Sequence, residues 1–230
     1  MTSYSLKEIY YTIQGEGRQT GQAAVFCRFA GCNLWNGREK DREIAKCTFC
    51  DTDFVGTDGL GGGVYENAKL LVLSIMAKWP FSLRPLVVLT GGEPFARKEI
   101  TDIAKSYIKN TTIQSIYVTT NASLPERVED FAKAIINFDK NIQLTFQISI
   151  DDLPKRHDAV RKIKNLFDNC IETYRRLKKI DERVNPIISV TVSHENCENI
   201  ENIYEYLTLK SGISSLKCTI VRDEGVYKTP

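Results

Sequence analysis

Short apolar runs alternate with stretches of helical period along most of this chain. The runs are rich in β-branched and aromatic residues and are almost continuously hydrophobic, which is typical of strands covered on both faces. We predict six strands, at residues 23–30, 86–90, 115–120, 144–150, 187–193 and 215–221. Five helices are predicted between them, at residues 66–78, 97–109, 125–138, 158–180 and 198–209.

The predicted helix at residues 158–180 has the clearest pattern. Its apolar residues follow one another at spacings of three or four, which places them on a single face. They are Val160, Ile163, Phe167, Cys170, Tyr174, Leu177 and Ile180. The basic residues between positions 155 and 183 are expected to form the solvated face of this helix.

The alternation of strands and helices predicts an α/β fold with a parallel sheet and right-handed crossovers. It is compatible with a curved, six-stranded partial barrel and with a flat, doubly wound sheet. The chain has no internal repeat and no proline-rich linker, so we predict a single domain over residues 1–230. The glycine-rich tract at residues 58–63 lacks the Lys-Ser/Thr ending of a phosphate-binding loop. We therefore expect a flexible loop there.

The amino-acid composition and net charge limit the kinds of partner that the protein is expected to bind. The content of 42% hydrophobic and 26% charged residues is that of an ordinary globular protein. A formal net charge of +2 predicts neither a nucleic acid nor an anionic membrane as a partner. The opening residues lack the apolar run of a signal peptide, and no stretch has the length of a membrane span, so a cytoplasmic protein is expected.

The seven cysteines carry more information than the composition does. Their odd number and the expected reducing compartment argue against a disulfide framework. Cys32, Cys47 and Cys50 cluster just after the first predicted strand, and three thiolates leave one iron of a 4Fe–4S cluster open to a ligand. A structural zinc site needs four ligands, and a redox pair of Cys47 and Cys50 leaves Cys32 unexplained. The spacing favours the iron–sulfur cluster and leaves both alternatives open.

The remaining cysteines are expected to have structural roles. Cys27, Cys170 and Cys218 fit core positions in predicted strands and in a predicted helix. Cys197 lies at a predicted helix start, where we expect no chemistry. His157 precedes the long predicted helix, and we expect a capping role for it at the surface.

A second motif follows the second predicted strand, where residues 90–94 read Thr-Gly-Gly-Glu-Pro. Gly91 and Gly92 allow the backbone to approach a ligand closely, and Glu93 offers an anionic partner for an ammonium group. Such a turn is common by itself, but its position one strand after the clustered cysteines makes the combination specific. Together the two motifs resemble those of the radical S-adenosylmethionine (SAM) enzymes.

This resemblance implies a partial (β/α)6 barrel of the radical SAM type. It also implies a 4Fe–4S cluster held by Cys32, Cys47 and Cys50, with SAM as the second cofactor and no further catalytic residue. The implied SAM contacts lie in the cysteine loop and at the ends of the next three predicted strands. They are Phe49, Asp51, Gly91, Gly92, Glu93, Asn121 and Ser149.

Within the superfamily, residues 6–54 are similar to the 7-carboxy-7-deazaguanine synthase family. The similarity lies in Lys-Glu-Ile-Tyr-Tyr-Thr-Ile-Gln-Gly-Glu-Gly at residues 7–17 and in Ala-Val-Phe-Cys-Arg-Phe-Ala-Gly-Cys-Asn-Leu-Trp at residues 24–35. Some members of this family share the expanded spacing of fourteen residues between the first two cysteines. Residues 1–22 would then be a substrate-contacting extension, and residues 33–46 an insertion in the cysteine motif.

The resemblance implies conversion of 6-carboxy-5,6,7,8-tetrahydropterin to 7-carboxy-7-deazaguanine with loss of ammonia, a lyase reaction in queuosine and other deazapurine biosynthesis. Thr52 would contact Mg2+, and a flavodoxin or ferredoxin would be the reductant. A homodimer is a possible assembly. The implied contacts to the pterin substrate are Ile13, Gln14, Gly15, Glu16, Arg28 and Thr90.

The second half departs from the synthase pattern. Residues 119–122 read Thr-Thr-Asn-Ala where the synthases usually have Glu-Thr-Asn-Gly, and residues 149–151 read Ser-Ile-Asp where they have Ser-Pro-Lys. Residues 144–160 and 221–230 look more like radical SAM proteins that modify peptides or build cofactors. Two alternatives follow: a radical SAM enzyme acting on a peptide or another cofactor precursor, and a metal-stabilised binding protein without catalytic activity.

Overall fold

The computed structural model describes residues 3–14, 21–46, 52–80 and 86–220. In these ranges the strands are β1 (Tyr4–Ile13), β2 (Ala23–Phe29), β3 (Gly63–Tyr65), β4 (Leu86–Thr90), β5 (Ser115–Thr120), β6 (Gln143–Ile150), β7 (Val184–Val192) and β8 (Leu216–Ile220). The α-helices are α1 (Ala68–Met76), α2 (Ile100–Asn110), α3 (Pro125–Phe138), α4 (Pro154–Arg161), α5 (Leu166–Lys178) and α6 (Ile200–Glu205). Among the described helices, none has the length and hydrophobicity needed to cross a membrane.

All described strands belong to one sheet, in the order β3-β1-β2-β4-β5-β6-β7-β8. The six strands β2, β4, β5, β6, β7 and β8 are neighbours in that order, and each pairs in parallel with the next. A doubly wound sheet reverses its strand order at a switch point, whereas these six strands follow the order of the sequence. Right-handed crossovers then put the intervening helices on one face. The sheet is an open partial barrel, which confirms the predicted fold and excludes the doubly wound alternative.

The hydrophobic pattern does not predict β1 or β3, which pair antiparallel at one edge of the sheet. The glycine-rich tract at residues 58–63, expected as a flexible loop, is bonded to β1. The backbone N–H of Gly59 donates to the carbonyl of Lys7 at 3.0 Å, and the N–H of Ile9 donates to the carbonyl of Leu60 at 2.8 Å. The tract therefore gives β1 hydrogen-bond partners on its outer side.

The two faces of the sheet differ in polarity. On the face covered by helices, Phe146 of β6 is fully buried and packs edge-on against Phe131 of α3, with 6.0 Å between ring centroids. The alternation of side chains puts the polar residues of the strands on the concave face. They include Tyr10, Arg28, Thr90, Thr119, Gln147, Ser149 and Lys217. The concave face is thus the side on which a polar ligand can bind.

The prediction of one continuous helix at residues 158–180 is wrong. The first helix ends at Lys162, with φ 50°, and the second begins after Asn165, with φ 62°. The carboxylate of Asp158 accepts hydrogen bonds from the backbone N–H groups of Asn165 and Phe167, at 2.6 and 2.9 Å. These bonds satisfy N–H groups at the start of α5, and they favour a new helix start over a continuous helix.

The isolated cysteines lie mostly where the pattern predicts them. Cys27 and Cys170 are buried, and burial raises the pKa of both thiols. Cys197 begins a short 3-10 turn and is exposed. The prediction of a core position for Cys218 is wrong, because this residue is exposed on β8, the last strand of the sheet, where no described helix covers it.

Two residues predicted at the surface are buried. His157 is fully buried, and its Nδ1 accepts a hydrogen bond from the backbone N–H of Asp151 at 3.1 Å. Arg161 forms two hydrogen bonds, at 2.6 and 3.0 Å, with the Asp151 carboxylate. Burial alone would raise the pKa of Asp151, but the Arg161 guanidinium holds it well below its ordinary value. The basic residues near α4 are therefore only partly a solvated face.

Candidate active site

The carboxyl ends of β2 and β4 bring the two sequence motifs into contact. The strands are parallel neighbours, and the turns that follow them carry Cys32 and Gly92. A Cβ on Gly92 would lie 2.6 Å from the Cβ of Cys32 and would also collide with the carbonyl of Gly31. Glycine is the residue that permits this approach. The contact makes the cysteine turn and the glycine turn parts of one site.

Gly91 meets a second requirement of the same turn. Its φ of 98° lies in the left-handed region, which residues with a side chain rarely adopt. A Cβ there would also lie 2.7 Å from the backbone nitrogen of Phe29. The turn after β4 therefore places main-chain groups, without intervening side chains, against the end of β2.

Cys32 is half-buried, and its Sγ accepts a hydrogen bond from the backbone N–H of Leu34 at 3.4 Å. A sulfur at this position, beside the glycine turn and with an N–H directed at it, has the donor chemistry of an iron–sulfur ligand. Four other residues predicted to bind the cluster or SAM lie outside the described residues, as do two predicted substrate contacts. They are Cys47, Phe49, Cys50 and Asp51, and Gly15 and Glu16.

The Glu93 carboxylate joins the ends of β4 and β5. It is 3% exposed and accepts hydrogen bonds from the Asn121 N–H at 2.7 Å, the Phe95 N–H at 3.0 Å and the Thr120 hydroxyl at 3.0 Å. Burial raises its pKa to about 7, although these bonds favour the charged form. Glu93 thus holds the glycine turn against the next strand, and its contacts in the described residues are internal.

The turn after β5 is tied to the start of the insertion. Asn121 donates from Nδ2 to Oδ1 of Asn33 at 3.4 Å, and Asn33 donates from Nδ2 to the Ser123 hydroxyl at 3.0 Å. Ala122, which stands where the synthases usually have glycine, has a left-handed φ of 54°. Sequence reasoning missed Asn33, and its position directly after Cys32 was the available signal. Ser149 is half-buried at the next strand end along the sheet.

Arg28 lies one strand position from the end of β2, on the concave face. Its guanidinium donates to the Asp53 carbonyl and to the Tyr10 hydroxyl, each at 3.3 Å. Nε lies 3.3 Å from a Glu8 carboxylate oxygen, yet it is buried and makes no hydrogen bond within the described residues. Arg28 is therefore held in place by Glu8, Tyr10 and the Asp53 carbonyl. Glu8 and Tyr10, which sequence reasoning missed, alternate with buried Ile9 along β1.

Thr52 is half-buried and precedes Asp53 in the segment that packs beside β2. The Asp53 carboxylate pairs with Lys7 at 3.0 Å, and Lys7 also pairs with Asp58 at 2.8 Å. Bonding to Asp58 is the main cause that raises the pKa of Lys7. The two carboxylates next to Thr52 thus share one cation, Lys7. A divalent cation at Thr52 would need further oxygen ligands from substrate or water.

Several polar side chains line the concave face next to the carboxyl ends of the strands. Thr119 donates to the Thr90 hydroxyl at 3.3 Å. Gln147 pairs with Thr119 in the sheet, and its amide oxygen accepts hydrogen bonds from the Tyr117 hydroxyl and from Lys217, the latter at 2.9 Å. Thr90 therefore borders the predicted site, and Gln147 connects it to the last strand, which the sequence did not suggest.

Ile13 and Gln14 lie away from this cluster. Because β1 is antiparallel to β2, Ile13 pairs with Ala23 at the beginning of β2, while Cys32 follows its end. The seven residues of β2 separate these ends by roughly 20 Å. Ile13 is 61% exposed, whereas Gln14 is buried. The structure brings Cys32, Arg28, the glycine turn and Asn121 together, and it does not bring Ile13 or Gln14 to them.

The family comparison gives a match to the Radical SAM superfamily over residues 44–207. Curated relatives are 7-carboxy-7-deazaguanine synthases: that of Bradyrhizobium diazoefficiens is 62% identical over 40% of this chain and 44% of its own length. The synthase of Caulobacter vibrioides is 52% identical over 53% of this chain and 57% of its own length. The chain thus spans about half the length of the curated relatives it matches.

Solved structures share the fold. QueE from Escherichia coli superimposes with a TM-score of 0.51, 17% identity and 94% coverage of both chains. The enzyme anSMEcpe with bound AdoMet gives a TM-score of 0.58 at 20% identity, over 87% of this chain and 52% of the other. The family match covers most of the sequence and includes the strands that carry the glycine turn. This chain therefore belongs to the radical SAM superfamily, whose enzymes use a 4Fe–4S cluster and SAM.

Proposed function

We propose that this protein converts 6-carboxy-5,6,7,8-tetrahydropterin to 7-carboxy-7-deazaguanine with loss of ammonia, a carbon–nitrogen lyase reaction of queuosine biosynthesis. The observation that carries the proposal is the contact between the Cys32 turn and the glycine turn, with Arg28 beside them on the concave face. The identity of 50 to 62% to five of the synthases, over 40 to 54% of the chain, supports the substrate.

In this proposal Cys32, Cys47 and Cys50 hold the cluster. When bound, the cluster and SAM supply a carbon-centred radical that abstracts hydrogen from the substrate. The backbone of Gly91 and Gly92 receives the methionine end of SAM. Four further contacts follow from the family motif and from the strand ends, namely Phe49, Asp51, Asn121 and Ser149. Glu93 is also a proposed SAM contact, and its hydrogen bond to the end of β5 fixes the glycine turn.

The substrate carboxylate is the proposed partner of Arg28. A guanidinium suits a carboxylate because its N–H donors form a planar fork, and Arg28 lies beside the glycine turn. Thr52 is the proposed Mg2+ ligand, with the substrate carboxylate supplying further oxygen. Thr90 contacts the ring on the same face. The contact to Gln14 is proposed from the family motif alone, because a pterin does not span the roughly 20 Å that separate the two ends of β2.

The remaining proposed contacts, Ile13, Gly15 and Glu16, flank Gln14 in sequence. A flavodoxin or ferredoxin is the proposed reductant. A reducing compartment such as the cytoplasm suits the proposal, because cluster thiolates must stay reduced. A homodimer is a compatible assembly.

The proposal is tested by anaerobic incubation of the reconstituted protein with SAM, a reductant and the tetrahydropterin, followed by product mass. Arg28→Ala should lower turnover by about 30-fold or more, because an unpaired buried carboxylate typically costs about 2–5 kcal/mol. SAM cleavage without substrate should be unchanged in this variant. Arg38→Ala, at an exposed residue of the insertion, is the matched control and should behave as wild type.

Unchanged product formation in Arg28→Ala would refute the carboxylate contact.

A second function is favoured by the departures of the second half, which resembles radical SAM proteins acting on peptides or cofactor precursors. Wild-type protein that cleaves SAM but forms no product from the tetrahydropterin would support that second function. Protein that is colourless and binds no iron would support a binding protein without catalysis.

A further inference from the structure

The insertion at residues 33–46 has little regular structure of its own. Its described backbone contains one short 3-10 turn, Glu39–Asp41. Near its start it is anchored by Trp35, which packs edge-on against Phe54 with 5.9 Å between ring centroids. The guanidinium of Arg42 lies over the same indole, 4.4 Å from its centroid. These contacts fix the front and middle of the insertion.

The far end of the insertion is held from the other half of the chain. Nζ of Lys162 donates to the carbonyl of Ala45 at 2.7 Å and to the carbonyl of Glu43 at 3.1 Å. The two bonds join residues 117 and 119 positions apart in sequence. Ala45 is buried, so its carbonyl would otherwise be poorly solvated. Lys162 is the only residue for which the described ranges show a side-chain bond to these two carbonyls.

The position of Lys162 follows from the break between α4 and α5. Its left-handed backbone, φ 50° and ψ 36°, ends α4 and caps it, with its N–H directed to Ala159 and Asp158 carbonyls. In a continuous helix this side chain would point in a different direction. The break between α4 and α5 is therefore what lets Lys162 reach the insertion. Cys47, a proposed cluster ligand, follows Ala45 by two residues.

We propose that Lys162 is a positioning residue for the iron–sulfur cluster, which acts by holding the end of the insertion that leads into Cys47. This proposal rests on membership of the radical SAM superfamily and not on the proposed substrate. The ammonium group touches neither the cluster nor SAM; it restrains the backbone from which one ligand extends. The second half of the chain thereby contributes to the cysteine site of the first half.

Lys162→Met keeps the length of the side chain and removes the donors. Lys164→Met is the matched control, because Lys164 is an exposed lysine in the same turn and makes no side-chain hydrogen bond in the described ranges. In the reconstituted holoprotein, a chelator should bleach the cluster of Lys162→Met about three- to tenfold faster than the cluster of Lys164→Met. This factor corresponds to the free energy of one to two lost hydrogen bonds. Trypsin should also cut faster after Arg42 and Lys46.

Lys162→Gly separates positioning from stability. Glycine favours the left-handed backbone, so the thermal midpoint should stay equal or rise, while bleaching and tryptic cleavage should still be faster than in wild type. Lys162→Arg, which keeps donors on a long stem, should restore part of the protection. Equal bleaching and cleavage in Lys162→Met and Lys164→Met would overturn the proposal. So would a Lys162→Gly protein that bleaches and is cleaved as slowly as wild type.

Discussion

At the scale of single residues, the site depends on the absence of side chains. Gly91 and Gly92 let the turn after β4 lie directly on the turn that carries Cys32. The two glycines are required for different reasons: Gly91 has a left-handed backbone, while Gly92 has no room for a Cβ. The sequence suggested that these glycines approach a ligand. The structure adds that they approach the cysteine turn itself.

Gly92→Ala should weaken SAM binding by at least about tenfold, equivalent to ~1.4 kcal/mol, because the added methyl displaces the turn from Cys32. The measurement is the dissociation constant of SAM for the anaerobic holoprotein. Gly212→Ala is the control: it also has a positive φ, 71°, but nothing lies within 4 Å of its Cβ position. That control should lose stability without losing SAM affinity. Wild-type affinity in Gly92→Ala would contradict the close packing of the two turns.

Glu93 should make stability depend on pH. Its carboxyl has a pKa of about 7 in the fold, because burial raises it from an ordinary 4.5. The folded state then keeps a proton that the unfolded chain releases, so the free energy of unfolding should fall as pH rises from about 4.5 to 7, by on the order of 3 kcal/mol. Glu93→Gln should flatten this slope in urea unfolding followed between pH 5.5 and 7.5. A variant with the wild-type slope would contradict the assignment.

At the scale of elements, the break between α4 and α5 is decided by one capping residue. Helical periodicity continues through residues 158–180, yet Asp158 bonds to the backbone N–H groups that open α5. The result buries His157 and Arg161 on one side and directs Lys162 to the insertion on the other. A side chain that bonds to the backbone can thus override an unbroken apolar stripe.

Asp158→Ala should lower the free energy of unfolding by about 1–2 kcal/mol, because it leaves two N–H groups at the start of α5 without their acceptor. Asp168→Ala provides the comparison: Asp168 is exposed in the first turn of the same helix, and its removal should cost only a few tenths of a kcal/mol. Urea unfolding of both variants measures the difference. Equal losses would mean that charge near the helix start, and not capping, stabilises the break.

At the scale of the whole molecule, the concave face joins groups from distant parts of the chain. Arg28 comes from β2, Glu8 and Tyr10 from β1, and Asp53 from the segment after the cysteine loop. Acidic groups there are already paired with Lys7 or Arg28. An anionic substrate would therefore bring the negative charge that the proposed Mg2+ requires.

Removing Mg2+ should lower turnover of the tetrahydropterin, because Thr52 offers an oxygen ligand but no charge to hold the substrate carboxylate. Thr52→Ala should respond less to added Mg2+ than wild type, and Thr52→Ser, which keeps the hydroxyl, should respond normally. SAM cleavage without substrate serves as the internal reference and should not depend on Mg2+. Turnover that is indifferent to chelation of divalent ions would remove this role from Thr52.

Much of this protein follows from its sequence. Continuous apolar runs and intervening amphipathic stretches predict the parallel strands and most helices, because burial on one or two faces leaves a periodic trace. The cysteine spacing and the Thr-Gly-Gly-Glu-Pro turn predict the cofactors, because their chemistry needs those residue types close together. The irregular pairing at the start of β1 leaves no such trace, and β1 and β3 were missed for that reason.

The tertiary structure decided what depends on contacts between distant residues. Strand order selected the partial barrel over the doubly wound sheet, although both have the same local periodicity. The antiparallel direction of β1 put Ile13 and Gln14 at the opposite end of β2 from Cys32. The bonds of Lys162 to the insertion exist only once the two halves pack together. Local patterns report how much of a residue is buried, whereas its partner is set by the path of the whole chain.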